Sequence, residues 1–412
     1  MTELDTRPIR TPAAPLVPGS RAFIVVLSMC MAITALGIDS VLPAFPEIRT
    51  ALDLEPGATS VTALITFFFI GSSLGLLPAG LLADRFGRRP VMWGGLALYV
   101  LGAIGSLMAP TLGTMFVARF IWGLGSAGPR VAATAMVRDA YAGAQMARQM
   151  SFIMAVFILV PTIAPARAVG ILAVGPWQAI FWVCAGAAAL VAGAVTRLPE
   201  TLPVTSHRSL SFGEAWRSCR TVVATPGTIG YLLSLTALFG VFMSYLASSE
   251  IILDQVFGLE QWFPVFFGAI ALAMGAAMYL NGRFVERIGL RRIVALGFWA
   301  NGAAAVALLL LALLTSGRPG FWTFVPLLAA VLFFQQMLIP NLNAMAMRPL
   351  AHVAGTGAAI LGMVAGVFGA VIGGLIDRRF DGTITPLAIG FLVSSVAASL
   401  SWRWAATHDA DD

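Results

Sequence analysis

Gly80-Leu81-Leu82-Ala83-Asp84-Arg85-Phe86-Gly87-Arg88-Arg89 returns later in the chain as Gly282-Arg283-Phe284-Val285-Glu286-Arg287-Ile288-Gly289-Leu290-Arg291, with glycine, acid, arginine and glycine in register. The copies lie 202 residues apart, the difference between 282 and 80, which is close to half of the 412 residues. So long a period marks duplication of a whole bundle rather than of a short solenoid unit. The glycines permit a tight turn and close helix approach, and the acid can bond backbone donors or an arginine.

The loops on either side are separated by long apolar runs. A helix needs about 20 mainly apolar residues to cross a bilayer. Twelve such runs begin near Ala22, Val61, Pro90, Leu112, Met150, Trp177, Thr228, Phe263, Ile293, Phe321, Gly355 and Thr385. Each copy of the repeated loop joins the second and third run of its half. The fold expected is therefore an all-α membrane protein of twelve transmembrane helices in two pseudo-symmetric six-helix halves. Its divisions would be a polar tail at 1–20, a bundle at 21–196, a polar linker at 197–226, a bundle at 227–404 and a tail at 405–412. Composition agrees: 59% of residues are hydrophobic and 11% charged, and mean hydropathy is +0.89. Soluble chains carry about 25% charged residues.

Alternate loops differ in charge. Arg85, Arg88, Arg89, Arg138, Arg148, Arg208, Arg217, Arg220, Arg283, Arg287, Arg291 and Arg292 fall on one side, and Glu47, Asp53, Glu55, Asp254 and Glu260 on the other. By the positive-inside rule both termini are expected in the cytoplasm. The net charge of +6 is dispersed over these loops and forms no single basic face, which argues against nucleic acid. Every cation is arginine, so no Schiff-base or P-loop lysine exists. Cys30, Cys184 and Cys219 suggest no disulfide. With three histidines outside the apolar runs and no His/Cys/Glu cluster, neither a metal nor another cofactor is expected.

The first copy of the loop resembles the cytoplasmic signature of the major facilitator superfamily. Asp39-Ser40-Val41-Leu42-Pro43-Ala44-Phe45-Pro46, Arg119-Phe120-Ile121-Trp122-Gly123-Leu124-Gly125, Pro161-Thr162-Ile163-Ala164-Pro165, Pro340-Asn341-Leu342-Asn343 and Ala354-Gly355-Thr356 resemble proton-coupled drug exporters of the Bcr/CflA type. The resemblance implies a non-enzymatic transporter working by alternating access. One departure is Ala166-Arg167-Ala168-Val169-Gly170, where that family has small or apolar residues after the second proline. A bulky cation there is expected to impair cycling, by propping the halves apart or joining them through an ion pair.

An ionisable side chain within the membrane costs at least about 2.5 kcal/mol, so Asp39, Arg119 and Arg167 each need a reason to be there. At 1.5 Å per residue all three fall roughly 10–12 Å inside the outer ends of their helices, at one level. Asp39 is read as the proton site and Arg119 as the cation that tunes it; a permanently ionised Asp39–Arg119 pair is the alternative. Gly80, Asp84, Arg85, Gly87, Arg88 and Arg89 are assigned to conformational change, with Asp84 bridging to backbone or arginine across the closed cytoplasmic side. Pro161 and Pro165 are expected to bend a helix that packs on the opposite half. For substrate, Phe242, Met243 and Tyr245 offer apolar walls, Gln335, Gln336, Asn341 and Asn343 polar anchors, and Glu250 attraction for a cation.

These readings converge on proton-coupled export of small amphipathic drugs or related metabolites, by a monomer whose other partners are protons and the lipid bilayer. A same-fold importer or exporter of one specific metabolite, or a non-transporting membrane receptor, remains the alternative.

Overall fold

The computed structural model describes residues 16–55, 57–202 and 212–408. The expected tails lie outside these residues apart from 16–20 and 405–408, and so does the middle of the expected linker. The first half comprises α1 (Arg21–Asp39), the short α2 (Phe45–Ala51), α3 (Ala63–Phe86), α4 (Arg88–Leu107), α5 (Leu112–Ala140), α6 (Gly143–Leu172) and α7 (Gln178–Val195). A linking helix, α8 (Phe212–Ala224), precedes α9 (Pro226–Gln255), α10 (Phe263–Ile288), α11 (Leu290–Leu314), α12 (Phe321–Met347), α13 (Ala354–Asp377) and α14 (Thr385–His408). Thus α8 lies where a polar linker was expected, and α14 runs into the expected tail.

Eleven spans among the described residues are long and apolar enough to cross a membrane. The twelfth, α5, has 29 residues, enough for roughly 43 Å, but Arg119, Arg130, Arg138 and Asp139 dilute its hydropathy. Its register is set by small residues. A Cβ on Gly123 would collide with the Phe68 carbonyl on α3, and one on Gly125 with the Tyr99 backbone on α4, so glycine lets α5 nest between both helices.

The duplication is visible in the backbone. Gly87 joins α3 to α4 with φ of 100°, and Gly289 joins α10 to α11 with φ of 87°. Both copies of the loop therefore turn on a residue in a region that side-chain-bearing residues rarely adopt. The arginine-rich loops lie at one end of the bundle, here the basic end, and the opposite one is the acidic end.

Two seams join the halves, α3 against α13 and α6 against α10. Each pairs the second long helix of one half with the fifth of the other, as the internal symmetry requires. Along the first seam Gly374 packs on Thr66, Gly366 on Ser73 and Gly362 on Leu76. Beyond Leu76, toward the basic end, the helices diverge around a cavity of about 480 Å³. The halves meet at the acidic end and separate at the basic end.

Candidate functional site

The inter-half interface is built on one face of α9. Phe239, Phe242 and Tyr245 recur every three residues, so they stack along one stripe. Phe239 meets Phe69 of α3 across the halves, edge to face at 6.1 Å, and within the second half Tyr245 lies parallel to Phe267 of α10 at 6.1 Å. Tyr245 and Met243 are buried, and Phe242 is half-buried.

Asp39 ends α1 beside this stripe. Pro43 and Pro46 lack N–H donors, and the chain passes through a 3-10 turn over Leu42–Ala44 before α2 resumes the path. Asp39 is 3% exposed and close enough to Tyr245 for electrostatic coupling. Among the described residues no cation lies within ion-pair distance of its carboxylate and no hydrogen bond reaches it.

Arg119 corrects the expected pairing. Fully buried, it donates from Nη1 to the Gly37 carbonyl at 2.8 Å and from Nε to the Leu64 carbonyl at 3.2 Å. Its guanidinium lies 4.7 Å from the Phe68 ring centre and 4.8 Å from that of Trp122. Carbonyl dipoles and aromatic faces, not Asp39, compensate its charge. It pins the last turn of α1 to α3 and α5, two residues before the acid.

Arg167 likewise makes no bond across the halves. Its Nη2 donates to Ser40 Oγ at 3.0 Å, joining α6 to the end of α1 within one half, and its Nε is buried without a partner. Of the two expected outcomes, the cross-half ion pair is absent among the described residues. Pro161 and Pro165 are accommodated in a continuous α6, with Thr162 packing on Gly268 of α10.

Glu250 also departs from expectation. It is buried and held from both sides by Arg49, with Nη2 to Oε2 at 2.9 Å and Nη1 to Oε1 at 3.3 Å, while Arg49 Nε bonds the Ala58 carbonyl. Arg49 belongs to α2 and Glu250 to α9. This buried fork clamps the halves at the acidic end and leaves Glu250 no free face for a cationic substrate. Sequence reasoning overlooked Arg49, because its segment was read only for Glu47, Asp53 and Glu55.

The amides divide. Gln335 donates to the Leu238 carbonyl at 2.9 Å, and Asn341 exchanges bonds with Asn281 and reaches the Met337 carbonyl. Both lock helices of the second half, although Gln335 Oε1 has no partner. Gln336 is half-buried, and Asn343 is exposed on the wall of the basic-end cavity.

That cavity also receives Asp84, Arg130, Arg138 and Thr356. Arg130, Thr134 and Arg138 stand four residues apart on one face of α5, presenting two guanidiniums to whatever enters. Asp84 does not bridge the halves here. Its partner is Arg88, Nη1 to Oδ1 at 2.6 Å, and Arg88 Nε also reaches Asp139 at 3.2 Å. Arg85 is exposed and Arg89 half-buried, and Arg89 Nη2 donates to the Thr196 carbonyl. Glu200, another residue missed from sequence, accepts the backbone N–H groups of Arg88 and Arg89 at 3.0 Å each, capping α4 with an anion. Burial would raise its carboxyl, but bonds from the backbone of Arg88, Leu202, Arg89 and Thr201 prevail and hold it below its ordinary value. The second copy of the loop has Leu290 where the first has Arg88, so it lacks this network's central cation.

Two six-helix halves, clamped at one end and parted around a cavity at the other, define a membrane transporter. Residues 27–374 match the Major Facilitator Superfamily, and the chain belongs to it. It is 28% identical over 370 residues to a bicyclomycin resistance protein homolog of Haemophilus influenzae, covering 89% of this chain and 91% of that one. The multidrug resistance protein MdtL of Escherichia fergusonii is 27% identical over 247 residues, or 60% of this chain and 61% of that protein. In fold it is similar to the xylose transporter XylE from E. coli in a partially occluded inward-open conformation, with a TM-score of 0.70 at 14% identity, covering 93% and 97% of the two chains. The protein is thus a multi-pass transporter of a small molecule, with bacterial drug-resistance relatives.

Proposed function

We propose that the protein exports small amphipathic molecules in exchange for protons, crossing the bacterial inner membrane as a monomer with both termini in the cytoplasm. The observation that carries this reading is Asp39: a buried carboxylate at the meeting of the halves, with no cation or hydrogen-bond donor to hold it charged. A group so placed can take up a proton when water reaches it and hold that proton, without a buried charge, once it is sealed. The drug-resistance relatives support export, and the arginine-rich loops support a cytoplasmic basic end.

On this reading a substrate enters the cavity at the basic end, meets the apolar stripe of α9 and the guanidiniums of Arg130 and Arg138, and is sealed from outside by Arg49–Glu250. Residues 21–196 and 227–404 then rock as units about the two seams. The test is uptake of ethidium or chloramphenicol into inverted proteoliposomes under an imposed pH gradient. Wild type should accumulate one of these probes, whereas Asp39→Asn, which keeps size and hydrogen bonding but cannot exchange a proton, should bind the same probe without accumulating it. Accumulation by Asp39→Asn driven by protons alone would make Asp39 structural.

A further inference from the structure

A second buried carboxylate ends α13. Asp377 is 4% exposed, accepts one hydrogen bond, from Ser244 Oγ to Oδ1 at 2.5 Å, and leaves Oδ2 buried without a partner. Its height is deceptive. Ser244 lies eleven residues before the end of α9, so α9 continues about 16 Å past the contact and Asp377 sits well below the acidic end.

Among the described residues none offers it a counter-charge. From α9 the ionisable neighbours are Tyr245, packed on Phe242 and Phe267, and Glu250, engaged by Arg49. The facing length of α3 carries no ionisable side chain before Asp84, and the turn over Thr59–Thr62 carries none. Just past the end of α13 Arg378 and Arg379 are exposed; further along the loop Asp381 bonds Thr383, and Arg318 lies by Gly382. An ionised carboxylate with one donor and no cation is costly to bury. A proton on the unpartnered oxygen removes that charge, and the Ser244 bond survives.

The location allows the proton to exchange with water. Gly369, Gly373 and Asp377 form one stripe of α13 that packs on α9, while Gly362, Gly366 and Gly374 form the adjacent stripe that packs on α3. Parting the halves at the acidic end lifts α3 from the second stripe and admits water beside the first. Asp39 and Asp377 thus flank the same step of α9, one beside Tyr245 and the other on Ser244.

We propose that Asp377 is a second proton-binding site, reached by water when the acidic end opens and holding the proton taken up there as that end seals. Its role in coupling rests on the antiport reading; its titration does not. The experiment is infrared difference spectroscopy of the full-length chain in nanodiscs, titrated from mildly alkaline to mildly acidic pH. Wild type should gain protonated-carboxyl C=O intensity in two components, Asp39→Asn losing one and Asp377→Asn the other. Ser244→Ala should move the second component to higher frequency, because its carbonyl loses a hydrogen bond; this shift carries the test if Asp377→Asn fails to fold. A titration of Asp377→Asn that overlays wild type overturns the proposal, since the group would then be permanently protonated or permanently charged. If instead the component titrates but wild-type proteoliposomes show no proton-driven flux, the antiport reading falls and the site stands.

Discussion

Removing Arg49 should release the acidic end. In the closed arrangement the Arg49 and Glu250 side chains are 5% and 2% exposed, so Arg49→Ala would leave a carboxylate buried without its only cation. Breaking a buried pair from one side costs about 3–5 kcal/mol. Opening lets water hydrate Glu250, so the penalty falls on the closed state alone. At about 1.4 kcal/mol per tenfold, even the lower figure moves the closed-to-open ratio by roughly 100-fold. Removing both partners in Arg49→Ala/Glu250→Gln leaves no buried charge, and that variant should open less than the single one. Spin labels at Ala51 and Gln261, exposed positions on opposite halves, report the change in a background lacking Cys30, Cys184 and Cys219. A longer inter-label distance is expected in Arg49→Ala, with the double variant intermediate. Identical distributions in wild type and Arg49→Ala, or a double variant as open as the single, would refute the clamp.

Arg167→Leu strands the buried Ser40 hydroxyl and should cost about 1–3 kcal/mol, whereas Arg167→Leu/Ser40→Ala should recover wild-type thermal stability; equal losses in both variants would show that the bond to Ser40 is incidental. The depressed Glu200 carboxyl contributes stability that is fully present above its ordinary value of 4.5 and is lost as pH falls through the lower folded value. Glu200→Gln should therefore lower the melting midpoint at neutral pH and converge with wild type in acid, and a gap that is constant with pH would place the effect in packing.

The architecture was legible because it rests on periodic features. Apolar runs of membrane length count the helices, and Gly87 and Gly289 announce the same turn twice. The pairings were much less so. Asp39, Arg119 and Arg167 do belong to one region, but depth along a helix says nothing about direction around it. Arg119 points into its own half, between Gly37 and Leu64, and Arg167 stops at Ser40, one residue from the acid it was expected to accompany. Glu250 was noticed as an acid yet misread, because its partner lies 201 positions earlier in the chain, in a segment counted only for its acids. Asp377 looked like a helix boundary followed by two arginines. Its place on the Gly369–Gly373 stripe, four residues on, was the available sign that it faces inward.

The two contacts between the outer part of the first half and α9 are mechanically linked. Asp39 and Arg49 lie ten residues apart on a stretch that runs with little slack through the 3-10 turn into α2, and Tyr245 and Glu250 lie five apart on α9. The same two elements thus meet at two heights, one holding the buried Asp39 carboxylate and one a charge clamp. Arg119 fixes the lower end of the first element by holding the Gly37 carbonyl, so displacement at Asp39 is not absorbed by unwinding α1. On the proposed reading, ionising Asp39 draws water to the lower contact and makes its burial beside Tyr245 unfavourable. Because α1 is pinned, that strain must appear at the upper contact, where Arg49 and Glu250 separate. A proton can thereby govern a gate it never touches, without any bond between Asp39 and an arginine.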